Sequence, residues 1–598
     1  MKTTWIPVCP TNELTIGSAR VFKFEKEQVV LFRLSEDEIY AVNNRCPHEG
    51  YPLAQGYVKG CLVTCIWHNY KFDLRDGSCI VGEEAVRTWP LRIRDGLIEI
   101  DMTPPAPEVL IPPLLKSLHD GLFERELGRV ARDVVRLLEA GLSPERIAFE
   151  GARFDAIHAE YGSTHALPLA TDVLSLLPLY PGVDAAYPLM QVMDMASDES
   201  TVRRAARARP KAVDPGEDTR KAGRRLFALV ENEEVEEAEG LLIGALQAGW
   251  NRDVIEPWLF ELCVEHFLDF GHALIYQIKV FDLIEAIGWD EAAVHLLPSH
   301  LFRIANGTRE DTLPSWKWFS RRLEALAPQW DKLYRRQQEP KRVPRPDAFV
   351  KTILDGEPVT LFEALVDALE QGWDAHELCR LISVAASLRI LRFDPSIAFD
   401  ITVQEGFLHV THLLTHADAV HSSLKRFESP RVLRLLFFAA RFVNKARPLD
   451  MPKGKRIDTR QLLARATAPT PDAAGIDEGA VHAAVTARLG DEALKTAASF
   501  LATHPDRVEA LWRFLLKLGT ADRAVRPIVN AHLIKTTIAA RQAARVASAH
   551  GDHETAKVHL YAALRSMSLA IPERQLSRQV YEAIAFVTRG KVPRRLTD

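Results

Sequence analysis

Two patterns of apolar and polar positions divide the chain. Up to about residue 104, apolar residues alternate with polar ones, as in Ala19-Arg20-Val21-Phe22-Lys23-Phe24, Gln28 to Arg33 and Leu97-Ile98-Glu99-Ile100. Alternation sends successive side chains to opposite faces of a strand. With Gly, Asp and Asn at short intervals, it predicts a small antiparallel β domain over 1–104. Pro104-Pro105-Ala106-Pro107 and Pro112-Pro113 then predict a stiff linker over 105–118. From 119 to 598 apolar residues recur at three and four, the spacing of amphipathic helices. Asp198 to Arg225, Gln337 to Pro346 and Met451 to Gly479 are polar or proline-rich breaks. They leave helical units over 119–197, 226–336, 347–450 and 480–598.

The helical part repeats one layout. Leu137-Leu138-Glu139-Ala140-Gly141-Leu142-Ser143, Ala245-Leu246-Gln247-Ala248-Gly249-Trp250-Asn251 and Ala368-Leu369-Glu370-Gln371-Gly372-Trp373-Asp374 each place a Gly after a helix end, then one apolar residue, then Ser, Asn or Asp. That predicts a left-handed Gly closing one helix and an N-cap opening the next. The fold expected is a small all-β domain followed by a large, internally duplicated all-α region. The units are too long for a solenoid and suggest a bundle.

Composition narrows the class. A net charge of -5 over 598 residues gives no reason to expect nucleic acid or an anionic membrane as partner. The most apolar helical stretch, Leu433 to Val443, contains arginines and is too short for a span. Met1 to Pro10 has no basic segment followed by an apolar core, so no secretory signal is expected there. Five of the 7 cysteines lie between Cys9 and Cys79, which is no disulfide framework. A reducing, cytoplasmic setting is expected.

The cysteines carry chemistry. Cys46-Pro47-His48 is followed after sixteen residues by Cys65-Ile66-Trp67-His68. Cys46 and Cys65 can bind one iron as thiolates, and His48 and His68 another as neutral imidazoles, which is the donor set of a [2Fe–2S] centre with mixed ligands. Zinc also takes two Cys and two His, but its fingers pair Cys with Cys and His with His. Cys9, Cys61 and Cys79 lack ligand spacing and read as buried packing residues.

The flanks Glu49-Gly50-Tyr51-Pro52-Leu53-Ala54-Gln55-Gly56 and Asn69-Tyr70-Lys71-Phe72-Asp73 complete a resemblance to the Rieske ferredoxin family over roughly the first hundred residues. The resemblance implies a [2Fe–2S] cluster and electron transfer. Respiratory Rieske proteins add a cysteine to each loop, and Glu49, Gly50, Tyr51 and Trp67 leave no such bridge here. Where they place a Ser and a Tyr hydroxyl after the second His, this chain has Tyr70 and Phe72, which implies a potential at the low end of the Rieske range. The family usually has Gly after the second His; Asn69 stands there, and Asn tolerates left-handed backbone.

The helical part offers further donors. Glu265, Asp269, His272 and Tyr276 are spaced to share one helix face, as are Glu405, His409, His412 and His416. Such stripes on facing helices build metal sites in bundles, so a second metal, iron, is expected there, with Asp155, His158, His165 and His532 as further donors. Local ion pairs, core histidines or haem axial ligation are the other readings of these stripes. The Asp-x2-His-x4-His run of Rieske oxygenase large subunits is not met: after Asp155 and His158 the next His is His165, two residues too far.

The stretches Tyr161-Gly162-Ser163-Thr164-His165-Ala166-Leu167-Pro168, Phe270-Gly271-His272-Ala273-Leu274, Leu408-His409-Val410-Thr411-His412-Leu413-Leu414-Thr415-His416-Ala417 and Ala531-His532-Leu533-Ile534-Lys535-Thr536 resemble the questin oxidase family. That family is helical and linked to Baeyer–Villiger-type oxygenation of polyketide quinones. The resemblance implies that His165, His272, His412 and His532 converge on one catalytic pocket, and that the chain is an oxygenase acting on a small organic substrate with its electron donor fused. The scattered glycines form no dinucleotide fingerprint, so an external NAD(P)H-dependent reductase or ferredoxin is expected to supply electrons. The competing reading is a non-catalytic electron-transfer or redox-sensing protein whose helical region docks a partner. A relative of the nitrite reductase small subunit is a third reading, which the long helical part does not fit.

Overall fold

The computed structural model describes residues 4–591 except 25–26, 83, 201–204, 399, 401, 404–405, 469–475, 522–525, 572 and 574; the side chains of 199–200 are also left aside. The chain forms two compact units, one of residues 1–147, 180–193 and 575–598, the other of 148–179 and 194–574.

The first unit holds the alternating segments as three antiparallel sheets. Trp5–Pro10, Leu97–Asp101 and Leu91–Arg94 form one; Ala19–Phe24, Glu27–Arg33, Ile39–Asn43 and Thr88–Trp89 form the second; Tyr57–Lys59, Leu62–Thr64, Lys71–Asp73 and Cys79–Val81 form the third. Alternation sorts the strand Glu27–Arg33 between two cores. Val30 and Phe32 pack with Val42, Leu53, Val63, Phe72 and both Cys46 and Cys65. Val29 and Leu31 pack on the other side with Ala41, Trp89, Ile98 and Ile100. Of the three cysteines expected to be buried packing residues, Cys9 is buried. Cys61 and Cys79 are half-buried, each near a strand end of the third sheet.

The stretch expected as a stiff linker over 105–118 is helical from Pro107 to Glu124. Pro107 suits the first helical position, where no N–H is needed. Pro112 and Pro113 remove the bonds that the carbonyls of Glu108 and Val109 would accept, but both residues are exposed and water can serve them. Helix Leu127–Glu139 carries Arg132 and Arg136, which grip the buried Glu84 carboxylate at 2.5 and 2.7 Å. Burial pushes that carboxyl up, and the two guanidiniums outweigh it and hold it below the usual range.

The second unit is helical. The three glycine turns, Gly141 in the first unit and Gly249 and Gly372 in the second, share one geometry. Gly141, Gly249 and Gly372 are left-handed (φ 87, 78 and 76). In each, the Gly N–H and the next N–H bond back to carbonyls of the helix just ended. The caps differ: Ser143 and Asp374 accept from the next helix's N–H groups, while Asn251 makes no such bond.

At the centre, four helices close a ring. Ala166–Leu174 packs on His272–Ile287, which packs on Gly406–Arg426, which packs on Pro527–Ala549, which returns to the first. The His272–Ile287 helix is apolar almost all round, as a central helix must be. Among the described residues no helix is long and apolar enough to cross a membrane.

The expected continuous helix carrying Glu265, Asp269, His272 and Tyr276 is broken. One helix ends at Glu265, and the next begins at His272. Between them Asp269, Phe270 and Gly271 have positive φ (51, 55 and 82). Glu310 holds the break by accepting the Phe270 N–H at 2.6 Å.

Buried neutral histidines make this unit acid-labile. His300 is fully buried against Gln277 (2.8 Å), and burial, then Arg303, pull it down to about 3. Unfolded, it titrates near ~6.5. The unfolded chain therefore binds the proton first, and stability present above pH ~6.5 is lost on acidification at about 1.4 kcal/mol per pH unit. In His300→Gln, unfolding free energy measured between pH 6 and 4 should fall less steeply by about that amount. An unchanged slope would show that His300 does not remain neutral.

Candidate functional site

The first site lies at the tips of two loops in the β domain, and they are built alike. In the first, the Cys46 N–H donates to the Tyr51 carbonyl (2.9 Å) and the Gly50 N–H to the Cys46 carbonyl (2.8 Å). In the second, the Cys65 N–H donates to Tyr70 (2.8 Å) and the Asn69 N–H to Cys65 (2.9 Å). The fifth residue of each turn is left-handed: Gly50 at φ 79 and Asn69 at φ 61. Asn69 thus does in the second loop what Gly50 does in the first.

The loops bring the four expected donors together. His48 Nδ1 and His68 Nδ1 lie 3.1 Å apart. Cys46 and Cys65 are buried, and both are free thiols. They hydrogen-bond to each other; Cys46 is pushed up as the donor and Cys65 drawn down to about 6 as the acceptor. Two sulfurs and two Nδ1 atoms presented from facing loops fit a [2Fe–2S] cluster with one thiolate and one imidazole per loop. Tyr70 stacks on the His48 ring (centroids 4.7 Å, 14°). Gly82 makes room for it, since a Cβ there would come within 2.4 Å of the Tyr70 ring. His68 is exposed and flanked by exposed Ile66 and Trp67, so the cluster edge faces solvent.

The second site is at the centre of the helical ring. His165 N-caps the first helix, and His272 begins the second; His412 and His532 lie in the second turns of the third and fourth. Their ligating nitrogens all lie within 4.8 Å of one another. Nε2 of His165 is 3.1 Å from Nε2 of His272, and Nε2 of His532 is 2.8 Å from Nε2 of His412. His532 donates from Nδ1 to the Ile528 carbonyl (2.6 Å), which leaves its Nε2 lone pair aimed inward. Burial first, and the neighbouring cations Lys535 and Arg303 after it, hold His165 and His272 well below the usual histidine range; His412 and His532 are lowered by the same burial. Four neutral imidazoles around one point fit a metal ion that prefers nitrogen donors.

Arg303 ties the loops that carry the first two histidines. It donates to the Ser163 carbonyl (2.8 Å) and to Asp269 (3.2 Å), and lies 4.6 Å over the Tyr276 ring. Asp155 braces the first loop by accepting from the Thr164 N–H (2.8 Å) and hydroxyl (2.6 Å). Its polar position in the sequence therefore supports His165 from behind.

The other expected ligands stand elsewhere. Glu265 is paired with Arg431 and Arg434, and Asp269 with Arg303, so neither carboxylate joins the four imidazoles. His409 packs between Phe270 and Phe442, drawn down to about 4 by burial and then Lys445. Glu405 lies outside the described residues. Sequence reasoning missed Arg303 and Lys535; Lys535 carried a signal, as a lysine one turn after His532 in an otherwise apolar stretch.

Comparison with known proteins points to the first site. The Rieske [2Fe-2S] domain family matches residues 4–91. The chain is 31% identical over 100 residues to the anthranilate 1,2-dioxygenase ferredoxin subunit of Burkholderia cepacia, covering 16% of this chain and 92% of that protein. It is 34% identical over 105 residues to 4beta-methylsterol monooxygenase of Methylococcus capsulatus, covering 16% of this chain and only 28% of that enzyme's length. Among solved structures, the ferredoxin of carbazole 1,9a-dioxygenase from Nocardioides aromaticivorans aligns at 24% identity and TM-score 0.16, over 16% of this chain and 97% of its own.

The break before His272 gives a direct test of the histidine site. A Cβ at Gly271 would stand 2.4 Å from His416 Nδ1, at a φ of +82. Gly271→Ala should cost about 1–3 kcal/mol in urea unfolding. It should also weaken metal binding at the histidines by about 10-fold or more. Adding His416→Ala opens the space and should recover part of both; no recovery would mean that the contact with His416 does not set the position of His272.

Proposed function

Because this chain belongs to the Rieske [2Fe–2S] family through residues 4–91, we propose that it is an oxygenase whose N-terminal cluster supplies electrons, one at a time, to a metal held by His165, His272, His412 and His532. The domain itself is an iron–sulfur electron-transfer domain, and its relatives belong to oxygenase and ferredoxin systems, which makes the chain an oxidoreductase at that coarse level. The observation that carries the finer reading is the convergence of four buried imidazoles from four helices.

A one-electron donor in the same chain favours a redox-active metal at that point, and imidazole suits iron. Iron held there supplies electron exchange with dioxygen. The chain's own groups supply the remainder. His532 keeps its Nδ1 proton on the Ile528 carbonyl, so its Nε2 is available as a donor. Arg303 makes the surroundings positive, Lys535, drawn down to about 7 by burial, adds to this when protonated, and among the described residues no carboxylate joins the four imidazoles. Such a site favours an anionic organic substrate, such as a phenolate, over a neutral one. The questin oxidase resemblance agrees with that substrate class.

The ferredoxin relatives support an external NAD(P)H-dependent reductase or ferredoxin as the source of electrons. Fusion of donor and acceptor in one chain replaces diffusional encounter with a high local concentration. A docking scaffold would have its histidines at the surface, and these four are buried.

Iron content tests the reading. Full-length protein purified without oxygen should hold clearly more than the about two irons of a Rieske cluster. His272→Ala with His412→Ala should remove the excess and leave the Rieske electron paramagnetic resonance signal intact. Equal iron in both proteins would refute the metal site and leave electron transfer to a docked partner as the better account.

A further inference from the structure

The four helices that carry the histidines carry a second set of side chains further along. Two turns after His165 is Asp172, and two turns after His272 is Lys279. Asp418 follows His412 on the third helix, and Lys535 follows His532 on the fourth. All four line one cavity of about 10 Å³, whose other walls are apolar apart from Thr415. Asp172 and Lys535 are buried and Lys279 and Asp418 half-buried, and ionisable groups so enclosed at one level of an apolar ring are costly. Packing alone gives no reason for them.

They are connected. Lys279 holds Asp172 Oδ1 at 2.6 Å, and among the described residues Asp172 Oδ2 has no hydrogen-bond partner. Lys535 Nζ, also without one, faces the same cavity. Asp418 lines this cavity and a second one of about 20 Å³, shared with Arg380, Ser383, His421 and Gln542. Either cavity has room for about one water. The second leads outward: His421 is half-buried, and its ring lies 6.0 Å from that of exposed His376.

We propose that Asp418 and Asp172, with Lys279 as the fixed cation between them, form a proton-entry route from the protein surface to the four-histidine site. The proposal rests on the oxygenase reading above. Inserting one atom of dioxygen into an organic substrate and releasing the other as water takes up two electrons and two protons. The electrons come from the external donor through the cluster. The protons have to cross a wall of apolar helix faces.

In each transfer the Asp418 O–H bond breaks and its proton passes to a cavity water held by Asp172 Oδ2; that water gives a proton to the neutral amine of Lys535, which burial draws down to about 7, and the resulting ammonium, one turn from His532, releases it toward the histidines. Asp418 is then reprotonated from the His421 side. Lys279 stays charged throughout: burial lowers it, Asp172 and Asp418 raise it more, and the balance lies above the usual lysine range. Asp418 is suited to the role because burial pushes it up to about 6. Lys279 and Lys425 oppose that rise, Asp172 and Asp282 add to it, and Arg380 and His421 face Asp418 across the outer cavity. A carboxyl that titrates near neutrality can both take and give a proton there.

The test is Asp418→Asn in the full-length, iron-loaded protein. Iron content and the Rieske signal should be unchanged. Reoxidation of the reduced protein by dioxygen, followed by stopped flow at pH 7, should slow at least about tenfold, with a larger solvent isotope effect. Asp418→Glu should restore most of the rate. A carboxyl infrared band that titrates near pH 6 in the parent should be missing in Asp418→Asn. An unchanged rate, or Asp418→Glu as slow as Asp418→Asn, overturns the route while leaving the metal site standing. Iron no higher than the cluster accounts for removes the oxygenase reading and the route with it.

Discussion

Four imidazoles can be buried around one point only while they are neutral, and the helical unit is arranged around that constraint. Burial disfavours the imidazolium form, and a second charge nearby disfavours it further. Each of the four histidines is enclosed in protein and flanked by the cations Lys535 or Arg303 or by another imidazole. The inward nitrogens meet as two pairs, His165 with His272 and His412 with His532, an arrangement that a metal ion could replace. The ring of helices is therefore apolar around the site and polar in two places: where Arg303 fixes the loops before His165 and His272, and one level along, where Asp172, Lys279, Asp418 and Lys535 meet.

Both centres position their donors by the same backbone device. A metal ligand has to be aimed from a fixed Cα, and a left-handed residue turns the chain sharply enough to do that within a few residues. Gly50 and Asn69 close the two cysteine loops. Gly162 and Gly271 stand before His165 and His272, and Gly271 also allows His416 to approach. Where the donor sits inside a helix, as with His412 and His532, no such device is needed, because the helix itself fixes the direction.

This division explains what was legible in the sequence. The β domain followed from strict alternation, and its donors from two short Cys–His spacings, because both signals are local. The left-handed glycines at 141, 249 and 372 were legible for the same reason. The stripe from Glu265 to Tyr276 was not, because it assumed one helix where the chain breaks over 266–271. The proline-rich stretch, expected as a stiff linker, forms a helix because proline removes an N–H but keeps a helical φ. The carboxylates Glu265 and Asp269 had the right spacing for ligands, but their partners, Arg431 and Arg303, come from distant helices. The charged level next to the histidines has a faint signature, a lone ionisable residue six or seven positions after His165, His272 and His412 and three after His532. It acquires meaning only once the ring closes.

The two centres differ in what they admit. At the first, the edge carrying His68 lies in solvent between exposed apolar side chains, which suits brief contact with an electron donor. At the second, the histidines are buried among helices, and the two cavities that share Asp418 each hold about one water. A site that exchanges only electrons can be exposed, because an electron needs no channel. A site that combines electrons with dioxygen has to control protons, since a proton arriving without a substrate in place releases partly reduced oxygen. For the proposed oxygenase, enclosure with a narrow, titratable entry would meet that requirement. On that view the buried charges beside the histidines belong to the chemistry of the site as much as the imidazoles do.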